Sequence, residues 1–162
     1  PRINSGNISV SNTANLRTNA IGSAALLAQS IAGGGGYISE TNGSEEYTIT
    51  FGGNGNFNAI AGDVAINNSS KSLITAANYS PALVAQSIGG GGGAAATNAG
   101  DTIRMGTISS AVDSTALPRI NTGNVSVTNN ANLRTTAIGA AALLAQSSSW
   151  GGGYGSETNG RE

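Results

Sequence analysis

The sequence predicts an all-β fold, a parallel β-solenoid built from tandem repeats. Three observations predict it: a long internal repeat, alternation of apolar and polar residues inside each repeat, and a recurrent apolar stretch closed by Gln-Ser and a run of glycine.

The repeat comes first. Residues 1–45 and 118–162 align without a gap at an offset of 117, and 34 of the 45 positions are identical. A looser copy lies between them, so that Gln86 falls 57 residues after Gln29 and 60 before Gln146. The unit is therefore 1–117, made of two related half-units at about 1–57 and 58–117, and the next unit begins at 118–162. The whole of 1–162 reads as a single solenoid piece that opens inside a repeat at Pro1. Self-similarity at such periods marks solenoids and arrays.

Alternation opens each half-unit. Ile8, Val10, Ala14 and Leu16 share one parity, while Ser9, Ser11, Thr13, Asn15 and Arg17 share the other. Val125, Val127, Ala131 and Leu133 repeat the pattern, and Val64 with Ile66 begins it in the middle copy. A period of two means strands with one buried face. The apolar residues, Leu73 included, are expected to line one continuous interior. Asn12, Asn68 and Asn129 recur on the apolar parity. Either their amides bond from one repeat to the next, or each is an exposed turn residue tolerating left-handed geometry.

The stretch at 24–31 has two readings. "AALLAQS" contains good helix formers, and Ser80-Pro81 suits a helix start. A short apolar run bounded by glycine also suits a strand buried on both faces, with Pro81 at its first position. The strand is the expectation, because its neighbours are strands and the run is too short for helix propensity to decide.

The glycines after it are Gly33, Gly34, Gly35 and Gly36, then Gly89, Gly90, Gly91, Gly92 and Gly93. A phosphate-binding loop requires a closing Lys-Ser/Thr and a helix; Tyr37-Ile38-Ser39 and Ala94-Ala95-Ala96 stand there instead. These glycines, with Gln29, Gln86 and Gln146 before them, are read as structural. They make a tight corner, or a flexible loop, where positive φ or close backbone approach excludes a β-carbon. Trp150 stands in the place of Gly33 in the last copy.

Composition narrows the function. Charged residues are 9%, aromatics 4% and the net charge is −1, so nothing draws nucleic acid or an acidic membrane surface. There is neither Cys nor His, which removes disulfides, thiolate sites and the commonest general base and metal ligand. No run is long enough for a membrane-spanning helix. The stretch 52–60 loosely matches a calcium-binding nonapeptide, but Phe57 holds the aspartate place and the motif occurs once; a β-turn is expected there. Asp63 replaces Asn7 and Asn124 and reads as a solvated loop acid. Arg17 and Arg134 are expected on the outward face, in register. No carboxylate pair or nucleophile motif suggests catalysis, and no cofactor is expected.

The pattern "GNVSVTNNANLRTTAIG…LLAQS" together with "AQSIGGGGG" resembles the glycine-rich repeats of large Gram-negative autotransporter adhesin passengers. Residues 6–18 with 26–36, 61–75 with 83–93, and 123–135 with 143–153 carry the resemblance. "SSSW" at 147–150 departs from it, and 40–58 has no counterpart. The resemblance implies a right-handed parallel β-helix on the cell surface, anchored through an outer-membrane barrel outside this sequence. With about 20 to 25 residues per turn, a 117-residue unit would span about five turns and about 24 Å.

A non-enzymatic, structural role is expected: a segment of an extracellular rod or fibre, with host glycans or proteins bound by parts outside it. A filament subunit that associates with itself end to end or laterally is the alternative. A β-helical polysaccharide-active enzyme is the least supported reading, since no coil face collects carboxylates or bases.

Overall fold

The computed structural model describes residues 2–39, 48–51, 58–98, 102–105, 120–149 and 153–158. Among them there is no helix, and every paired strand is parallel to its neighbour. The chain makes three passes through the same series of strands. The first comprises β1 (Arg2–Asn4), β2 (Ile8–Asn12), β3 (Leu16–Thr18), β4 (Leu26–Ala32), β5 (Gly36–Ser39) and β6 (Thr48–Phe51). The second comprises β7 (Asn58–Ile60), β8 (Val64–Asn68), β9 (Ser72–Thr75), β10 (Leu83–Gly89), β11 (Gly93–Asn98) and β12 (Thr102–Met105). The third comprises β13 (Ile120–Asn121), β14 (Val125–Asn129), β15 (Asn132–Thr135), β16 (Leu143–Ser149) and β17 (Gly153–Thr158).

Each second-pass strand from β7 to β11 lies between its two counterparts, and β12 pairs with β6. The register aligns like with like: Ile8↔Val64↔Val125, Leu16↔Leu73↔Leu133 and Gln29↔Gln86↔Gln146. The connections do the same. Ser5 N donates to Ile60 O, Ile8 N to Asp63 O, and Gly90 N to Ala32 O.

One pass is thus one half-unit, which corrects the expected 20 to 25 residues per turn. Gln29 and Gln86 are direct neighbours although 57 residues apart in the chain, and Gln86 and Gln146 although 60 apart. A 117-residue unit therefore advances two strand spacings, about 9.6 Å and not 24 Å. After the glycine corner come two further strands, β5 and β6, before β7 opens the second pass.

The core lies between three of these sheets, those of β8, β9 and β10. Ala28, Val64, Ile66, Leu73, Ala82, Leu83 and Ala85 form one buried cluster. Ile8, Val10, Leu16, Val125, Val127 and Leu133 pack against it, so the alternating positions share one interior. Ala14 is exposed, because it falls at the bend between β2 and β3 where the alternation is broken. The stretch at 24–31 is strand from Leu26 onward, in β4, with Ala24 and Ala25 before it; its counterparts are β10 and β16, and Pro81 precedes β10 without being its first residue. All of β10 is buried, on both faces. Leu83 and Ala85 join the core, while Val84, Gln86 and Ile88 point the opposite way, as strand geometry requires.

Candidate functional site

The polar residues that recur on every pass are the candidate site, and they are organised as ladders. Asn12 ends β2, and its Nδ2 donates to Oδ1 of Asn68 at 2.8 Å; Asn68 Nδ2 donates to Asn129 Oδ1 at 2.7 Å. Asn68 is completely buried, and its Oδ1 also accepts from the Ser70 hydroxyl. Asn12 additionally closes its own turn, accepting from Ala14 N and donating to Ala14 O. The ladder reading holds and the left-handed turn reading does not: Asn12 is half-buried at the end of β2 without positive φ, and its side chain closes the turn that follows. A second ladder runs along β4, β10 and β16: Gln29 Nε2 to Gln86 Oε1 and Gln86 Nε2 to Gln146 Oε1, both 2.6 Å. An amide serves this task because it donates and accepts at once, so a stack of any height is satisfied.

The glycine runs form the corner after β4 and β10. Gly33, Gly34, Gly35 and Gly36, and then Gly90, Gly91, Gly92 and Gly93, all have positive φ. Close approach adds to that requirement. A Cβ on Gly93 would stand 2.1 Å from Gly36 O, and one on Gly35 would stand 2.2 Å from Gly92 O. Gly36 lies over Gln29, with a Cβ position 3.5 Å from the amide nitrogen. Gly89, grouped with its run in the sequence, is instead the last residue of β10, paired to Ala32 and Ser149. Trp150 and 52–57 lie outside the described residues; of the nonapeptide-like stretch only Asn58–Ile60 is described, as β7.

Sequence reasoning missed a third set. Ser30 Oγ donates to Gly6 O and accepts from Gly62 N, both 2.9 Å. Ser87 repeats this with Gly62 O and Gly123 N, and Ser147 bonds Gly123 O. Each serine thus staples its strand to the corner before β2, β8 or β14, and Ser30 and Ser87 reach the next level as well. The recurrence of Gln-Ser was the available signal, though nothing local names its partner. Tyr79 was missed too. It is buried and takes φ 56 where Gly22 and Gly139 take φ 72 and 67. Its carbonyl accepts from the Tyr37 hydroxyl.

Asp63 is exposed but is more than a solvated acid. Its N–H donates to Asn7 Oδ1 at 2.8 Å, and its Oδ1 accepts from Asn124 N at 2.7 Å. It thus replaces an asparagine as acceptor in a row where only an acceptor is needed. Arg17 and Arg134 are exposed, each paired in register to Ile74 and not to one another. An open groove of about 670 Å³ crosses the three passes at this corner, lined among others by Asn4, Asn7, Asp63, Asn121 and Thr122. Among the described residues that line it, Asp63 is the one acid. Among the described residues, no three of His, Cys, Asp and Glu gather in a group able to hold a metal ion. No protein-family model, curated protein or solved structure matches the chain.

Proposed function

We propose that the chain is a load-spanning segment of a β-solenoid rod, right-handed as the resemblance implies, in an extracellular adhesin or surface fibre. The observation that carries this reading is the in-register stacking of like residues over three passes, with amide ladders that any further pass could continue. Such a stack gains length by repetition, and its polar residues are occupied with one another. Among the described residues that line the groove at Asp63 there is no second carboxylate and no base for sugar-cleaving chemistry. Adhesive contacts and the membrane anchor belong, on this reading, to other parts of the parent protein.

Electron microscopy of the intact parent protein at the cell surface tests it. A rod is expected, lengthening by about 4.8 Å for each pass of the repeat. A compact particle, or a parent confined to the cytoplasm, defeats the reading. A self-assembling filament is the second reading. It is favoured by the exposure of Leu27 on the first pass and Leu143 on the third, whose in-register neighbours Val84 and Leu83 are fully buried.

A further inference from the structure

The two half-units differ in where they carry charge, and the register turns this difference into a rule. Arg17 and Arg134 are both beside Ile74. Asp63 stands between Asn7 and Asn124, bonded to each. Lys71 N–H donates to Asn15 Oδ1 at 3.0 Å, and its carbonyl accepts from Asn132 N at 3.1 Å. Arg2 pairs with Asn58, Arg104 with Thr50, and Glu157 with Thr97. Every charged residue among the described ones is therefore adjacent to uncharged residues on the neighbouring passes.

This holds because passes alternate in kind. The first and third are of one kind, identical at 34 of 45 positions, and the second is of the other. Bringing two passes of the first kind together would set Arg134 directly beside Arg17, about 4.8 Å away along the row. Two passes of the second kind would oppose Asp63 with Asp63 and Lys71 with Lys71. Like charges directly opposite on adjacent strands are destabilising. Size alternates with charge: the buried Tyr79 stands between Gly22 and Gly139, and Ala94 between Tyr37 and Tyr154.

The outer rows are built to be covered. Leu27 is 45% exposed where its middle-pass equivalent Val84 is 0%, and Leu143 is 44% exposed where Leu83 is 0%. We propose that these rows are docking surfaces for a pass of the second kind, a parallel segment with the pattern of 58–105, and that their isolated charges reject a pass of the first kind. The occupant is thus a segment with an uncharged residue at the Ile74 place, a side-chain acceptor at the Asp63 place and an aromatic at the Tyr79 place. The inference narrows the rod reading to an alternating order, and it also disfavours two copies of this chain meeting third pass to first.

The full chain can be lengthened after Glu162 in two ways. Adding residues 46–117 supplies a next pass of the second kind; adding 46–57 followed by 1–57 supplies one of the first kind. Amide exchange of Leu143–Ser149 is then measured at low ionic strength, about 10 mM, where charges interact over about 30 Å. The second-kind extension should slow exchange along this strand by about tenfold or more relative to the first-kind extension. Arg134→Thr should recover much of the deficit in the first-kind extension. Equal protection by both extensions, protection by neither, or no recovery with Arg134→Thr overturns the proposal. Microscopy finding a rod alongside any of these results leaves the rod reading standing and removes only the docking rule.

Discussion

The second pass and the two passes that flank it use nearly the same residues, yet they live in different environments. Leu83 and Val84 are fully buried; Leu143 and Leu27, their counterparts on the outer passes, are 44% and 45% exposed. A Cβ on Gly62 would stand 2.6 Å from the Gly6 backbone and one on Gly123 2.3 Å from the Gly62 backbone, whereas one on Gly6, on the first pass, would meet nothing within 4 Å. Burial in this fold is therefore conferred by neighbouring passes more than by residue type. A pass holds little core of its own. It becomes interior when another pass lies on each side, so stability should rise with the number of passes.

The largest loss is expected at the glycine corner. Gly93→Ala forces a Cβ at φ 142 to within 2.1 Å of a backbone carbonyl that cannot withdraw without tearing the first pass from the second. A loss of about 3 kcal/mol or more is expected in denaturant unfolding. A variant as stable as the parent chain would show that the corners are not in contact.

Leucine truncation compares the environments directly. Leu83→Ala should cost about 3 kcal/mol, as for a fully enclosed leucine, and Leu143→Ala about 1 kcal/mol or less. Equal losses would mean that the outer rows are covered in solution, which calorimetry at several protein concentrations would reveal as association.

The amide ladders give a smaller contrast. Asn68→Ala removes a buried side chain and leaves Asn12, Ser70 and Asn129 each short of a partner, for a loss of about 2 kcal/mol. Asn12→Ala, at the edge of the ladder, should cost about 1 kcal/mol. If the two substitutions cost the same, the ladder is not cooperative along the stack.

The smallest effect belongs to the pair at the bend before β2 and β8. Gly62→Ala brings a Cβ to 2.6 Å from Gly6 backbone atoms and should cost about 1 kcal/mol or more. Gly6→Ala should change stability by about 0.5 kcal/mol or less in either direction. Thermal melts of the two single variants resolve the difference.

Legibility in the sequence depends on the range of the interaction. Ile8, Val10 and Leu16 announce an inward strand face because alternation is local, one residue deciding the side of the next. The Asn12 position could be picked out by recurrence, but its two readings could not be separated, since burial and the ladder both depend on a partner 56 residues away. Ala14 kept the parity of a buried residue and is exposed, because it lies in the bend between β2 and β3, outside both strands. Asp63 looked solvated, because its bonds run to Asn7 and Asn124 on other passes.

From the sequence alone come the β character of the chain, the place of its alternating and apolar strands and the parity that faces inward; period and punctuation are properties of a few consecutive residues. Its 117-residue repeat also foretold that like residues would stack in register. The length of a pass, by contrast, was settled in three dimensions. Whether Gln29 meets a residue 25 or 57 positions onward depends on where the chain folds back, and the glycine corner permits that turn without specifying the strands beyond it. Closure of a pass is a contact between distant segments, chosen by the backbone hydrogen bonds and side-chain packing of all its strands together.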